Sequence, residues 1–369
     1  MKRKLIVILL IVVMIFNLSA CSKEPTENKY QAQFLELFDT VTTIIGYAEN
    51  KEAFSEFAQS VYDDLKVYHE LYDKYHDYEG VNNIKTINDN AGVAPVKVDR
   101  KIIDLLLFSR EAYQLSDGMV NVAFGAVLEV WHDYREEGTN DPDKAKVPPI
   151  ELLKEKAKHI DINKMVIDEA ASTVYLEDPE MSLDVGAIAK GYATEQVVQL
   201  AKGKGYTNGL LSVGGNVRAI GSKGYGVTAE QKDRSSIGVE DDWNVGIQNP
   251  DKESEEQYLH ILNLENLSLV SSGDYERYYT VDGVRYHHII DPNTLMPARY
   301  FKAVSIVTED SGLADALSTA IFNMPYEKGL QLIEDLEGTE ALWVLPDGTM
   351  KYSSGFEALI KQDSDKAAE

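Results

Sequence analysis

From residue 209 onward the chain carries six short runs of strand character, at 209–213, 245–247, 259–262, 267–270, 285–290 and 303–307. Strands set in series, with helices inserted rather than alternating one for one, argue against a doubly wound parallel sheet and for antiparallel pairing. A strong helix at 312–323 breaks the series. Two more precede it. Between residues 52 and 75, Phe54, Phe57, Val61, Leu65, Tyr68 and Tyr72 recur at spacings of three and four, the stripe of an amphipathic helix. A helix at 99–115 has Asp99 as candidate N-cap and Gly118 just past its end. Residues 165–167 and 173–176 predict two strands paired around a turn at 169–172, and the Pro-rich, charged stretch 141–149 predicts a surface connection. The fold class is therefore α+β, mainly antiparallel sheets with inserted helices, in one large domain or two lobes.

The N-terminus sets the compartment. Lys2, Arg3 and Lys4 precede an apolar run at 5–16, followed by Leu18, Ser19, Ala20 and Cys21. The run falls short of the roughly 20 residues of a membrane span and has the layout of a secretory signal. Leu-Ser-Ala-Cys also resembles the lipobox of bacterial lipoproteins, which implies cleavage after residue 20 and a lipid on Cys21. Cys21 is the only cysteine in 369 residues, so no intramolecular disulfide or CxxC pair exists. Residues 21–29 then read as a lipidated tether, 30–360 as the folded part and 361–369 as a frayed tail. The expected location is the outer side of the cell membrane, held by lipid. Charge would not hold it there, because 61 acidic against 36 basic residues give −25, and losing the signal makes it −28. The same excess argues against nucleic acid as a partner.

Three constellations carry chemistry. Residues 184–193 (DVGAIAKGYA) run from a strand end through Gly186 into a helix, where first-turn amides and Lys190 suit an anion. Small residues at a helix start also serve plain packing. Residues 271–278 and 285–292 put two histidines, two arginines and two aspartates within about twenty residues. Strand alternation sends His287 and His288 to opposite faces, so one of them enters a given site, although a surface hairpin would also accommodate the pattern. In the helix at 312–323, Asp315 and Thr319 share a face beside Ser318, a carboxylate and hydroxyl that suit Mg²⁺ as well as an ordinary solvated face. Neither GxGxxG nor GxxxxGKS occurs.

In this order DVGAIAKGYA, LLSVGGNVRAIG, SSGDYERYY, RYHHIIDP and ADALSTAIF resemble the signature blocks of the flavin transferases of the ApbE family. They span residues 184–322, with weaker similarity back to about Phe38. The resemblance implies an ApbE-like fold and a lipoprotein enzyme that takes FAD as substrate with Mg²⁺ and moves FMN to a Thr or Ser of an acceptor redox protein, releasing AMP. It implies that Asp184 and Lys190 contact FAD and that the Ala187 carbonyl, Asp315 and Thr319 hold the metal. His288 becomes the catalytic base with His287 in reserve. Phe38, Tyr75, Met119, Val120, Asn121 and Ile289 fall where the family lines its flavin and adenine pockets.

Two departures stand out. The family's DPxTGxP turn reads Asp291-Pro292-Asn293-Thr294-Leu295-Met296-Pro297, and Leu in place of the glycine predicts a different turn, since Leu resists positive φ. After Gly118 the family's DPTVGP wording is replaced by Asn121-Val122-Ala123-Phe124-Gly125. An FAD pyrophosphatase would use the same residues with water as acceptor, and a solute-binding lipoprotein would need a pocket without turnover.

Overall fold

The computed structural model describes residues 28–223 and 242–362. The expected signal, Cys21, residues 22–27 of the tether and the tail from 363 lie outside the described residues. The first strand starts at Asn28, two residues inside the expected tether, and Lys361 is tied down by its N–H to Ile261 O at 2.8 Å.

Strands β1 (Asn28–Phe34) and β2 (Thr42–Ala48) form an antiparallel pair. Helix α1 (Lys51–Tyr72) follows, capped by Asn50, whose side chain accepts the Ala53 N–H at 2.9 Å. The apolar stripe of α1 is buried as its spacing requires. Next come α2 (Ile84–Asp89), β3 (Val96–Lys97) and α3 (Arg100–Leu115), the last capped by Asp99 on Lys101 N–H at 2.8 Å. Helices α4 (Gly125–Asn140) and α5 (Ile150–Lys156) flank the Pro-rich connection. β4 (Met165–Asp168) and β5 (Thr173–Leu176) pair as expected, and β3 joins them in the order β3-β5-β4.

Helix α6 (Ala189–Gly203) then leads into the strand-rich half: β6 (Gly209–Val213), β7 (Asn216–Ile220), β8 (Trp243–Gln248), β9 (Tyr258–Leu264) and β10 (Ser268–Gly273). The hairpin β11 (Tyr278–Val281) and β12 (Val284–His287) precedes β13 (Ala303–Thr308) and α7 (Ser311–Phe322). Helix α8 (Tyr326–Glu334), β14 (Glu340–Val344) and β15 (Met350–Tyr352) close the chain. The run expected at 285–290 stops as a strand at His287, and the chain turns inward from there.

Eight strands form one sheet in the order β1-β2-β6-β7-β10-β13-β14-β15, every neighbouring pair antiparallel. Helices α1, α6 and α7 cover one face, and the β8–β9 hairpin covers the other. Alternation along β13 sends Val304 and Ile306 into the helix-side core and Val307 into the hairpin-side core, so this central strand is buried on both faces. The β6–β7 connection is a two-residue turn at Gly214 and Gly215 with φ of 57° and 91°, a geometry that suits glycine. A Cβ on Gly214 would also lie 2.5 Å from Thr40 Oγ1.

A separate cluster packs α4, α5 and the β11–β12 hairpin around Trp131, Leu153, Tyr279 and Leu295. Here the turn expectation is overturned. Leu295 adopts φ 61°, so the left-handed conformation is kept and a leucine carries it. The strain costs roughly 1–2 kcal/mol. Burying the leucine offsets this, since removing such a side chain from a core costs roughly 2–5 kcal/mol. Leu295 is 7% exposed and its carbonyl accepts the Trp131 indole N–H at 3.0 Å. Leu295→Gly is therefore expected to destabilise by roughly 1–3 kcal/mol despite relieving the backbone. A urea midpoint that rises in this variant would show that strain outweighs packing.

Candidate active site

The end of β10, the β6–β7 turn, the start of α6 and one face of α7 open onto one cavity of about 1170 Å³. From the other side it is lined by α4 and by the segments after α1 and α3. Phe38, Tyr75, Met119, Val120, Asn121, Asp184, Ala187, Lys190, His288, Ile289, Asp315 and Thr319 all line it. Residues far apart in sequence thus meet at one place. His287 does not line the cavity.

Glycine explains how α6 and α7 come so close. A Cβ on Gly191 would meet Ser311 O at 2.3 Å and Asp315 Cβ at 2.4 Å, so only glycine fits. The Gly191 N–H instead donates to Asp315 Oδ2 at 2.8 Å, fixing the carboxylate against the helix start. Ala189 N–H is likewise taken, by Val185 O at 2.8 Å. The first turn of α6 is therefore not the bare row of anion-binding amides that its sequence suggests, and Lys190 supplies the positive charge there. Arg218, fully buried, pairs with Glu195 at 2.9 Å, and Glu195 Oε2 accepts the Ser311 N–H at 3.1 Å. That block of the sequence ties β7, α6 and α7 together.

Asp315 is 6% exposed, and burial raises its carboxyl above the usual carboxylate range, although Lys190, the Gly191 N–H and the Asn216 amide pull it back down. A buried carboxylate with this balance is relieved by a cation. Thr319 shares its helix face and Ala187 lines the same cavity. Among the described residues no three His, Cys, Asp or Glu side chains gather as a metal-binding group. One carboxylate with hydroxyl and carbonyl oxygens does fit Mg²⁺, which keeps few protein ligands and completes its octahedron with phosphate and water.

The two histidines separate where β12 ends: His287 is its last residue and His288 stands in the bend that follows. His287, 3% exposed, donates from Nε2 to Ala298 O at 2.8 Å and accepts the Ile289 N–H at Nδ1, 3.3 Å away. Both nitrogens are in use, which makes it a structural histidine. Burial, with Arg299 and Arg285 nearby, pushes it down to about 4. A folded value below the unfolded one means that the unfolded chain binds more protons between about pH 6.5 and 4, so this group costs stability as pH falls through that window. The full loss is about 3 kcal/mol. Chemical denaturation at pH 7 and 4.5 should show a smaller loss for His287→Gln than for the parent; equal losses would remove His287 from the balance.

His288 lines the cavity, and its Nδ1 is buried without a hydrogen-bond partner among the described residues. Burial first, then Arg277, His287, Arg135 and Lys190, push it down to about 3, so its ring is neutral at pH 7.

Other side chains set the walls. Asp184 pairs with Lys74 at 2.7 Å and accepts the Gly186 N–H at 2.9 Å; burial would raise its carboxyl, but these partners hold it below the usual range. Phe38 sits at φ 56° and donates its N–H to His69 Nδ1 at 3.2 Å. His69 Nε2 meets the Tyr78 hydroxyl at 3.3 Å, and that hydroxyl donates to Asp73 at 2.8 Å. This chain of contacts holds a strained backbone in place at the cavity wall. Asn121 caps the turn that follows it, accepting the Ala123 N–H at 2.9 Å.

Sequence reasoning missed Lys74, His69 and Arg135. Arg135 lies on α4, whose apolar spacing at Val127, Val130, Trp131 and Tyr134 was the available signal.

The profile described as the ApbE family matches residues 38–343. The chain is 37% identical over 278 residues to an FAD:protein FMN transferase of Treponema pallidum, covering 74% of this chain and 73% of the relative. It is 28% identical over 290 residues to an FAD:protein FMN transferase of Klebsiella pneumoniae, covering 77% and 83%. The crystal structure of the ApbE protein from Thermotoga maritima superposes with TM-score 0.75 at 29% identity, covering 91% of this chain and 100% of that one.

Proposed function

The chain belongs to the ApbE family, and from that premise we propose that it is an FAD:protein FMN transferase, moving the FMN half of FAD to a Thr or Ser hydroxyl of an acceptor redox protein. The observation that carries the reading is a neutral histidine whose Nδ1 has no partner among the described residues, in the same cavity as Lys190, Asp315 and Thr319.

In this reading the acceptor oxygen bonds to the FMN-side phosphorus, and the bond from that phosphorus to the bridging oxygen breaks. AMP leaves with the bridging oxygen and its electron pair. The hydroxyl proton passes to His288 Nδ1. Lys190 faces the diphosphate, and Asp184 orients the nucleotide from its fixed place beside Lys74. Phe38, Tyr75, Met119, Val120, Asn121 and Ile289 wall the ring pockets. Asp315, Thr319 and the Ala187 carbonyl would hold Mg²⁺, which when bound neutralises charge on the diphosphate. An acidic protein needs such a local positive centre to seat a dianion.

The proposal extends to location: a lipid on Cys21 anchors the enzyme on the outer side of the cell membrane. The test of the reaction counts AMP released against flavin that stays on a candidate acceptor domain after denaturation. Equal amounts are expected. AMP with free FMN and an unlabelled acceptor would assign the site to hydrolysis by water.

A further inference from the structure

Among the described residues, three buried side-chain atoms at the cavity have no hydrogen-bond partner: Asn216 Nδ2, His288 Nδ1 and Asn323 Oδ1. Two of them have a place in the account. His288 is the proton acceptor, and the Asn216 amide faces Asp315 and draws its carboxyl down. Asn323 is left over. It ends α7, its backbone N–H donating to Ala320 O at 3.1 Å, and neither end of its side-chain amide is hydrogen-bonded among the described residues. At 3% exposed it is almost wholly withdrawn from bulk water. A buried amide left unpaired is destabilising, and a ligand that pairs with it removes that cost.

Asp315, Thr319 and Asn323 recur every four residues along one side of α7, and all three line the cavity. Asn323 lies about 12 Å along the axis from Asp315. The end of α7 is also joined to the segment that carries Ile289. Phe322 packs edge-on against the His287 ring, with centroids 5.6 Å apart, and His287 Nδ1 accepts the Ile289 N–H. We propose that the Asn323 amide binds the adenine of FAD, its oxygen accepting from the exocyclic amino group and its nitrogen donating to the adjacent ring nitrogen. This rests on the transferase reading. An amide matches that edge of adenine with two parallel hydrogen bonds. The isoalloxazine ring offers a similar edge, but its half of the substrate stays on the acceptor protein and must be withdrawn with it. That half belongs to the open side, where Tyr75 is 50% exposed. AMP leaves as a free small molecule, so adenine takes the enclosed end, where Asn323 and Ile289 are 3% and 6% exposed. The distance along α7 leaves the ribose between adenine and a diphosphate at Asp315.

The experiment measures Kd, with Mg²⁺ present, for AMP, for purine riboside 5′-monophosphate, which lacks the amino group, and for FMN. The parent is expected to bind AMP about tenfold more tightly than the purine analogue, the scale of one lost hydrogen bond. Asn323→Leu, similar in size and without polar atoms, should bind the two alike, its Kd for AMP raised about tenfold and its Kd for FMN within about twofold of the parent's. Its melting temperature without nucleotide should not fall, because the amide it removes has no partner among the described residues. Asn323→Ala, which adds no bulk, should lose the preference in the same way. A preference for AMP that survives in both variants, or one absent from the parent, would overturn the inference. So would a loss that falls on FMN, which would put the flavin at Asn323. The transferase reading has its own point of failure: AMP with free FMN and an unlabelled acceptor would overturn it whatever the three affinities.

Discussion

His288→Ala is expected to lower FMN transfer by roughly 10²–10⁴-fold, the range for loss of a positioned general base, while the Kd for FAD changes by no more than about twofold. The separation follows from the geometry. His288 Nδ1 is a buried atom with no partner among the described residues, so its removal orphans none of them. The loss falls on the transition state, where the acceptor proton must go somewhere. His287 provides the control. Its two nitrogens are spent on Ala298 and Ile289, so His287→Gln should change stability more than transfer. Full transfer by His288→Ala would take the base out of the mechanism.

Asp315→Asn separates the metal from the fold. The amide oxygen can still accept the Gly191 N–H that Asp315 Oδ2 holds at 2.8 Å, so the α6–α7 contact survives. Burial raises the Asp315 carboxyl, which means that its charged form is disfavoured in the absence of a cation. Without Mg²⁺ the variant should therefore be as stable as the parent or more so. Added Mg²⁺ should raise the melting temperature of the parent and not of the variant, because a ligand stabilises only what binds it. Transfer should fall by about 10²–10³-fold, the scale for removing one preorganised electrostatic contact. A variant that keeps both the Mg²⁺-dependent melting shift and the transfer rate would place the cation elsewhere.

Much of this was legible because periodicity is local. The stripe from Phe54 to Tyr72, the Asp99 cap and the strand pair at 165–176 depend on spacing alone, and they fold as read. The separation of His287 from His288 was expected from strand alternation, but it comes about because β12 ends at His287 and His288 lies in the bend after it. What was not legible depends on tertiary partners. Nothing near Leu295 in sequence shows that Trp131 will pack against it and outweigh a positive φ. The amides at the start of α6 looked free because Asp315, which takes one of them, lies far along the chain. Arg135 escaped notice for the same reason: only the fold brings it to the cavity that Lys190 and His288 line.

If FMN passes to a protein hydroxyl rather than to water, the intact mass of an acceptor domain records it. After incubation with residues 22–369 of this chain, FAD and Mg²⁺, the acceptor should gain the mass of one FMN phosphoester, matched by an equal amount of AMP and abolished by EDTA. An unchanged acceptor mass, with AMP and free FMN in solution across the acceptor domains tried, would contradict the account.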